Sequence, residues 1–376
     1  MPSSDSLTLF GSFGFGNLGD ELIPQCFRNL LAAAGESQTV QVLSRFRGTE
    51  IGETDPFPEG EAAQGGPHSG PLILAGGGIV EAREMSCMNR AFALRRARPG
   101  LRVATHAISV EPGLRFTWKQ RRRLLHQLNH IGATTVRDVL SAEALMHLAP
   151  GHRTRVIGDT ALWMEPGAVP EELTAILPDT PIAVILGDVW ETPDFFDWLT
   201  RELTDLARNL NAPLLLLPFS GAFGNDMPVH LTLRDRLAET APDIEVAFPL
   251  EHLPFASFTP EAVATILKDA SLVVSMRLHG CVLSYAMRTP FLGLAYHPKL
   301  RGFAETVGAQ AALIPGTLPE RQSAGTYGFK FSDLELAPGT LSDAADVVMN
   351  DFDFSAIPYF RHQQIVAVRD LIARLT

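Results

Sequence analysis

The chain has 376 residues, 46% hydrophobic and 19% charged, which is enough for two domains with full cores. Its net charge of −11 argues against a broad nucleic-acid-binding role. No apolar run reaches the length of a membrane span, the opening MPSSDSLTLFGS lacks a basic-then-apolar signal, and Cys26, Cys87 and Cys281 are scattered without metal-ligand spacing. These features predict a cytoplasmic protein with no disulfide framework and no metal site.

In chain order, SLTLFGSF, TVQVLS, PLILAGGG, LRVATHAIS, ATTVRD and RVIGD read as short buried strands, with amphipathic stretches between most of them, for example Glu21–Ala34 and Trp118–His130. The pattern restarts after Pro166 with PIAVILGD, APLLLLPFS, IEVAF, SLVVSM and PFLGLAY, interleaved with helical stretches at Phe195–Leu210, Val229–Thr240, Pro260–Asp269 and Leu278–Met287. Continuous rather than alternating apolar strands mean a sheet covered on both faces, and repeated βα units mean a doubly wound architecture. The expectation is an α/β protein of two Rossmann-like domains facing a cleft. They divide as residues 1–168, 169–355 and a C-terminal helix over 356–376 that packs back toward the N-terminal domain. Gly52–Gly70 and Pro315–Pro338 read as irregular connections.

Ligands of open α/β sheets bind beyond the C-terminal strand ends, so residues there are the candidates for chemistry. GSFGFGNLGDE (Gly11–Glu21) follows the first strand; its glycines allow a tight turn, and Asp20 either serves a ligand or simply caps a helix. Gly76–Gly78 follow the third. Arg137 ends a strand, either as an anion clamp or in an ion pair with Asp138. PFSGAFGNDMP places Asn225 and Asp226 in a loop that is equally readable as an ordinary turn. In SMRLHG, Arg277 ends a strand and His279 starts a helix, and Lys299 closes the following apolar run. A helix N-terminus beside an arginine suits a phosphate or carboxylate, and a histidine near such an anion can act as an acid. The alternative is a core histidine and a structural salt bridge.

Between Arg83 and Arg123 eleven Arg or Lys face only Glu84 and Glu111. KQRRRLLHQL within it is a basic amphipathic segment, either a solvated face or a surface for anionic lipid or phosphate.

The order GNLGDE, GGG, VRD with Ser141, Gly158-Asp159, SMRLHG and YHPKLRGF resembles the polysaccharide pyruvyl transferase family over nearly the whole chain. S-x-R-L-H-G followed by Y-x-P-K is the most specific part. The resemblance implies a fold similar to two-domain (GT-B type) glycosyltransferases. It also implies transfer of pyruvate from phosphoenolpyruvate to sugar hydroxyls of a cell-surface polysaccharide or its lipid-linked precursor, forming a ketal. Phosphoenolpyruvate is then a donor substrate, and no cofactor or metal is expected. His279 is implied as the general acid, and Arg277, Leu278, Arg137 and Lys299 as donor-binding residues. Asp20 is the candidate base, and Asn17, Gly77 and Asp226 fall to the acceptor side. A lipid-linked acceptor would bring peripheral contact with the inner membrane. Departures from the family pattern are THAISVEPG after the fourth strand and His297 between Tyr296 and Pro298. Two other classes compete: a glycosyltransferase of similar form using a nucleotide sugar, and an inactive binding protein of the same fold.

Overall fold

A computed structural model describes residues 6–14, 16–44, 55–56, 70–81, 86–187, 193–221, 225–314, 321–323, 326–327 and 338–375. Nearly all of Gly52–Gly70 and most of Pro315–Pro338 lie outside the described residues. The chain forms two compact units. The first comprises Met1–Gly16, Asp20–Trp163 and Ser355–Thr376; the second comprises Asn17–Gly19 and Met164–Phe354.

In the first unit the strands are β1 (Ser6–Phe10), β2 (Thr39–Ser44), β3 (Asp55–Pro56), β4 (Leu72–Ala75), β5 (Gly78–Val80), β6 (Val103–His106), β7 (Ser109–Val110), β8 (Ala133–Val136) and β9 (Arg153–Val156). Its main sheet runs β3-β2-β1-β4-β6, and every pairing is parallel. A parallel bridge from Ile108 to Val136 leads on to the β8-β9 pair. All four residues of β4 and of β6 are buried, which explains the unbroken apolar run of β4, while β6 also buries Thr105 and His106; β9 is mostly half-exposed.

The helices are α1 (Leu18–Glu21), α2 (Ile23–Ala34), α3 (Cys87–Ala97), α4 (Trp118–Ile131) and α5 (Val139–Leu148). α2 ends at Gly35 in the left-handed conformation, and α4 opens on a Thr117–Gln120 capping box. The C-terminal helix Ala356–Leu375 belongs to this unit. Its Arg369 donates to Ala34 O, its Arg361 to Leu162 O and its Gln364 to Asp159 O.

The second unit repeats the plan. Its strands are β10 (Ile182–Ile185), β11 (Leu214–Leu216), β12 (Val246–Ala247), β13 (Leu272–Ser275), β14 (Phe291–Leu294) and β15 (Leu313–Ile314), in the parallel order β12-β11-β10-β13-β14-β15. Helices α6 (Pro193–Leu210), α7 (Met227–Thr240), α8 (Pro260–Asp269), α9 (Leu278–Met287), α10 (Pro298–Val307) and α11 (Thr340–Asn350) alternate with them. In both units the first strand in sequence sits mid-sheet and the strand order reverses beside it. The reversal falls between β1 and β4 in the first unit and between β10 and β13 in the second. Chain connections leave opposite faces at such a point, which opens a crevice at the C-terminal strand ends.

Candidate active site

The crevice end of β13 in the second unit carries SMRLHG. Ser275 folds the exit turn on itself: its hydroxyl donates to Arg277 O (2.8 Å) and accepts from Arg277 N (3.1 Å). Gly280 has to be small, because a Cβ there would press on Ile185 Cδ1 at 2.9 Å as well as on the Ser275 hydroxyl. Arg277 is the N-cap of α9 in extended conformation, and its side chain makes no capping bond to the helix. The first-turn amides of a ten-residue helix therefore lie beside a guanidinium, with Leu278 and His279 as the first two helical residues.

Across the switch point Gly187 follows β10, and a Cβ on it would stand 3.0 Å from Arg277 Nε. The side chain of Arg277 is 17% exposed. His279 is buried against Gly19, and any side chain on Gly19 would overlap the imidazole ring. Gly19 is held there because Leu18 N donates to Phe219 O (2.8 Å) and Asn17 bridges to Ser220.

Asp226 differs from its expected acceptor-side role. Its side chain is wholly buried, and one carboxylate oxygen accepts from Phe219 N (3.1 Å), Ser220 N (3.0 Å) and Arg277 Nε (3.2 Å). The other oxygen pairs with Arg277 Nη2. The carboxylate is committed to protein donors because a buried charge has to be paired and hydrogen-bonded. His230, one turn into α7, places its Nδ1 2.8 Å from Asp226 O and its Nε2 3.2 Å from Leu186 N. Nε2 also lies 3.3 Å from Val184 O, so the ring meets three backbone groups; the shorter contacts fit a neutral ring with the proton on Nδ1, donating to Asp226 O and accepting from Leu186 N. Burial holds the His230 pKa down to about 4. Cys281 is no nucleophile, since burial pushes its thiol up to about 12.

At the start of α10, His297 Nδ1 accepts from Lys299 N (3.2 Å), so the unusual residue between Tyr296 and Pro298 is a helix cap. Lys299 is half-buried in the first turn of that helix.

At the start of α1, Asn17 rather than Asp20 supplies the cap: its side-chain oxygen accepts from Gly19 N (3.0 Å). The glycine loop is braced by Glu21, which accepts from Gly14 N (2.8 Å) and Gly16 N (3.2 Å). Asp20 is half-buried near Gly77, where a Cβ would come 3.3 Å from its Oδ1 and 2.8 Å from Ser12 Oγ. Gly77 has φ +55, so its conformation as well as its surroundings favours glycine.

Arg137, expected as a second anion clamp, is instead clamped itself. It donates to Asp138 (3.1 Å) and Asp159 (3.4 Å), with all three side chains nearly fully buried. Two carboxylates already outweigh its single charge. Sequence reasoning passed over Glu21, His230, Gly187 and Ser275. The i, i+4 spacing of Asp226 and His230 in DMPVH and the serine two residues before Arg277 were the available signals.

The family model for polysaccharide pyruvyl transferases matches residues 17–298, which is most of the chain and includes Asp226, Arg277 and His279 but ends one residue before Lys299. The chain belongs to the polysaccharide pyruvyl transferase family. It is therefore a transferase of α/β fold with parallel sheets, and the family implies a saccharide acceptor. No curated protein matches the chain.

Among solved structures, the UDP-GlcNAc 2-epimerase of Methanocaldococcus jannaschii in complex with UDP-GlcNAc and UDP is similar at a TM-score of 0.56 and 12% identity. The match covers 97% of this chain and 98% of that one. The UDP-N-acetylglucosamine 2-epimerase of Rickettsia bellii is similar at 0.55 and 12%, over 98% and 95%. At such identities the likeness is one of fold alone.

Proposed function

We propose that this pyruvyl transferase takes pyruvate from phosphoenolpyruvate and sets it as a ketal on two hydroxyls of a saccharide. The observation that carries the reading is the SMRLHG turn: an arginine fixed by a buried carboxylate, at a helix N-terminus without a side-chain cap, two residues from a histidine. Phosphoenolpyruvate has a phosphate and a carboxylate on three carbons, and both groups match a guanidinium fork and helix amides.

In this reading Arg277, the α9 amides from Leu278 onward and Lys299 hold the donor. His279 gives a proton to the methylene carbon, and a bound dianion keeps an adjacent imidazole protonated. The carbon bearing the phosphate becomes electrophilic and a first sugar hydroxyl adds to it. The C–O bond to phosphate then breaks, phosphate leaves with the electron pair, and the second hydroxyl closes the ketal. Of the two hydroxyl protons, one balances the proton given to carbon and the other leaves with phosphate. Asp20, next in sequence to the Gly19 that packs on His279, is assigned as the hydroxyl base. Incubation with phosphoenolpyruvate and candidate saccharides tests the reading: phosphate release with a matching pyruvyl mass gain on the sugar is expected. Phosphate release without mass gain would contradict it.

The acceptor is further proposed to be lipid-linked. The exposed face of α4 carries Trp118, 69% exposed, together with Lys119, Arg122, Arg123 and His126, and the helix contains no acidic residue. Arg121 is engaged with the carbonyls of Leu148 and His147 at the end of α5 and does not count toward that face. Each exposed cation contributes roughly 1 kcal/mol near an anionic bilayer. Changing Lys119, Arg122 and Arg123 to glutamate should abolish sedimentation with phosphatidylserine vesicles at low salt. Unchanged sedimentation would remove the membrane from the proposal.

A further inference from the structure

We infer that Asp226 is a positioning residue: it aims the donor arginine and, through the Phe219–Ser220 turn, seats Gly19 against His279. The inference rests on the reading that Arg277 holds the donor anion, and it reassigns a residue that the sequence placed on the acceptor side.

The carboxylate is the common partner of two structures that are 58 positions apart in sequence. One oxygen gathers Phe219 N, Ser220 N and Arg277 Nε, and the second takes Arg277 Nη2. A two-point pairing fixes the plane of a guanidinium as well as its position, which a single contact cannot do. Phe219 and Ser220, held by the same carboxylate, receive the other chain segment: Leu18 N donates to Phe219 O and Asn17 bridges to Ser220. That segment ends in Gly19, packed on His279. Asp226 N also donates to Ser220 O at 2.9 Å, closing the turn on itself.

Behind it, His230 fixes the backbone of Asp226 and the end of β10 at once, through Asp226 O and Leu186 N. Phe248 stacks on the far face of the imidazole. A protonated His230 could not accept from Leu186 N, and its burial keeps the ring neutral well below pH 6. The arrangement is thus preset before any ligand arrives, and the donor need not spend binding energy on ordering the arginine.

The test uses the full chain in two independent readouts. The first is the Nε–Hε resonance of Arg277 in protein labelled with 15N-arginine, assigned by its disappearance in Arg277→Lys. The parent should show a slowly exchanging signal that is lost in Asp226→Asn while other arginine signals stay. The second is calorimetric titration with phosphoenolpyruvate. Asp226→Asn should weaken binding about 10- to 100-fold, the scale of a lost charge-assisted bond. The Asp226→Asn/Arg277→Ala double variant should be no weaker than Arg277→Ala alone.

His230→Phe keeps the ring volume and loses both hydrogen bonds. It should shift the Arg277 signal and weaken the donor about 2- to 10-fold. A parent without a protected Arg277 signal, a folded Asp226→Asn that keeps it, or additive losses in the double variant would each overturn the inference. A parent that shows the protected signal yet binds no phosphoenolpyruvate would remove the donor reading and leave the positioning of Arg277 standing.

Discussion

Two arginines of this chain follow the same local plan and end in opposite situations. Arg137 and Arg277 each leave the C-terminal end of a parallel strand, each precedes a helix, and each pairs with aspartate. At Arg137 the next residue, Asp138, caps α5 by accepting from Ser141 N (2.7 Å), so the helix start is already occupied. Asp159 adds a second carboxylate and also accepts from Ala161 N, leaving the cluster with a formal charge of −1. At Arg277 the buried carboxylate of Asp226 comes from 51 residues away in sequence, and the side chain of the N-cap residue makes no capping bond to α9. The first arrangement ties the ends of β8 and β9 together with two carboxylates on one guanidinium; the second leaves a helix N-terminus beside a guanidinium held by the buried Asp226. What distinguishes the two arginines is where their aspartate partners come from, next door and just past β9 for Arg137 but a distant loop for Arg277, and the state of the helix cap.

The difference is sharpest when broken by mutation. His279→Gln should lower turnover about 100- to 10,000-fold, the usual range for a lost general acid, with the KM for phosphoenolpyruvate changed only slightly. Near-normal turnover in steady-state assays would remove the acid from the Arg277 side of the contrast.

Arg137→Met should act on folding instead. Removing one partner of a buried pair costs about 3–5 kcal/mol, because two carboxylates are left without their cation. Urea unfolding at pH 7 should show that loss, and a change below about 1 kcal/mol would mean that the pair is solvated in solution.

A third prediction sets the two units side by side through their buried histidines, His106 in the first and His230 in the second. Burial holds both pKa values down to about 4 from the ordinary 6.5. The unfolded chain takes up these protons near pH 6.5 and the folded chain only near 4, so stability is full above 6.5 and falls as the pH drops through that window. Each histidine contributes about 3 kcal/mol of that slope. Urea midpoints at pH 7 and pH 4.5 check it, and His106→Phe should flatten part of the profile. A flat parent profile would contradict the burial of both rings.

The fold was legible because its strands are buried on both faces: LILA, LVVS and FLGL are apolar without a break, which only a covered parallel sheet requires. The short β5 and β7 escaped because they are two or three residues long, and α3 and α5 because their hydrophobic periodicity is weak; α10 and α11 were passed over although their periodicity is clear, and the partners of the glycine loop escaped as well. Arg277 and His279 stood out because charge and imidazole are costly at the end of a buried strand. The inward turn of Asp226 was not legible, because nothing in GNDMP tells a solvent-facing loop carboxylate from one turned inward. That distinction depends on a partner 51 residues away, and the local sequence does not carry it. The same limit applies to Glu21, whose ligands Gly14 and Gly16 are backbone amides.

The most direct test of the central claim is calorimetric titration of phosphoenolpyruvate into the parent, Arg277→Ala and Arg137→Met, each at a temperature where it is folded. Binding by the parent, a loss of at least tenfold in Arg277→Ala and parent-like affinity in Arg137→Met is the expected result. Parent-like affinity in Arg277→Ala, or a loss in Arg137→Met alone, would contradict it.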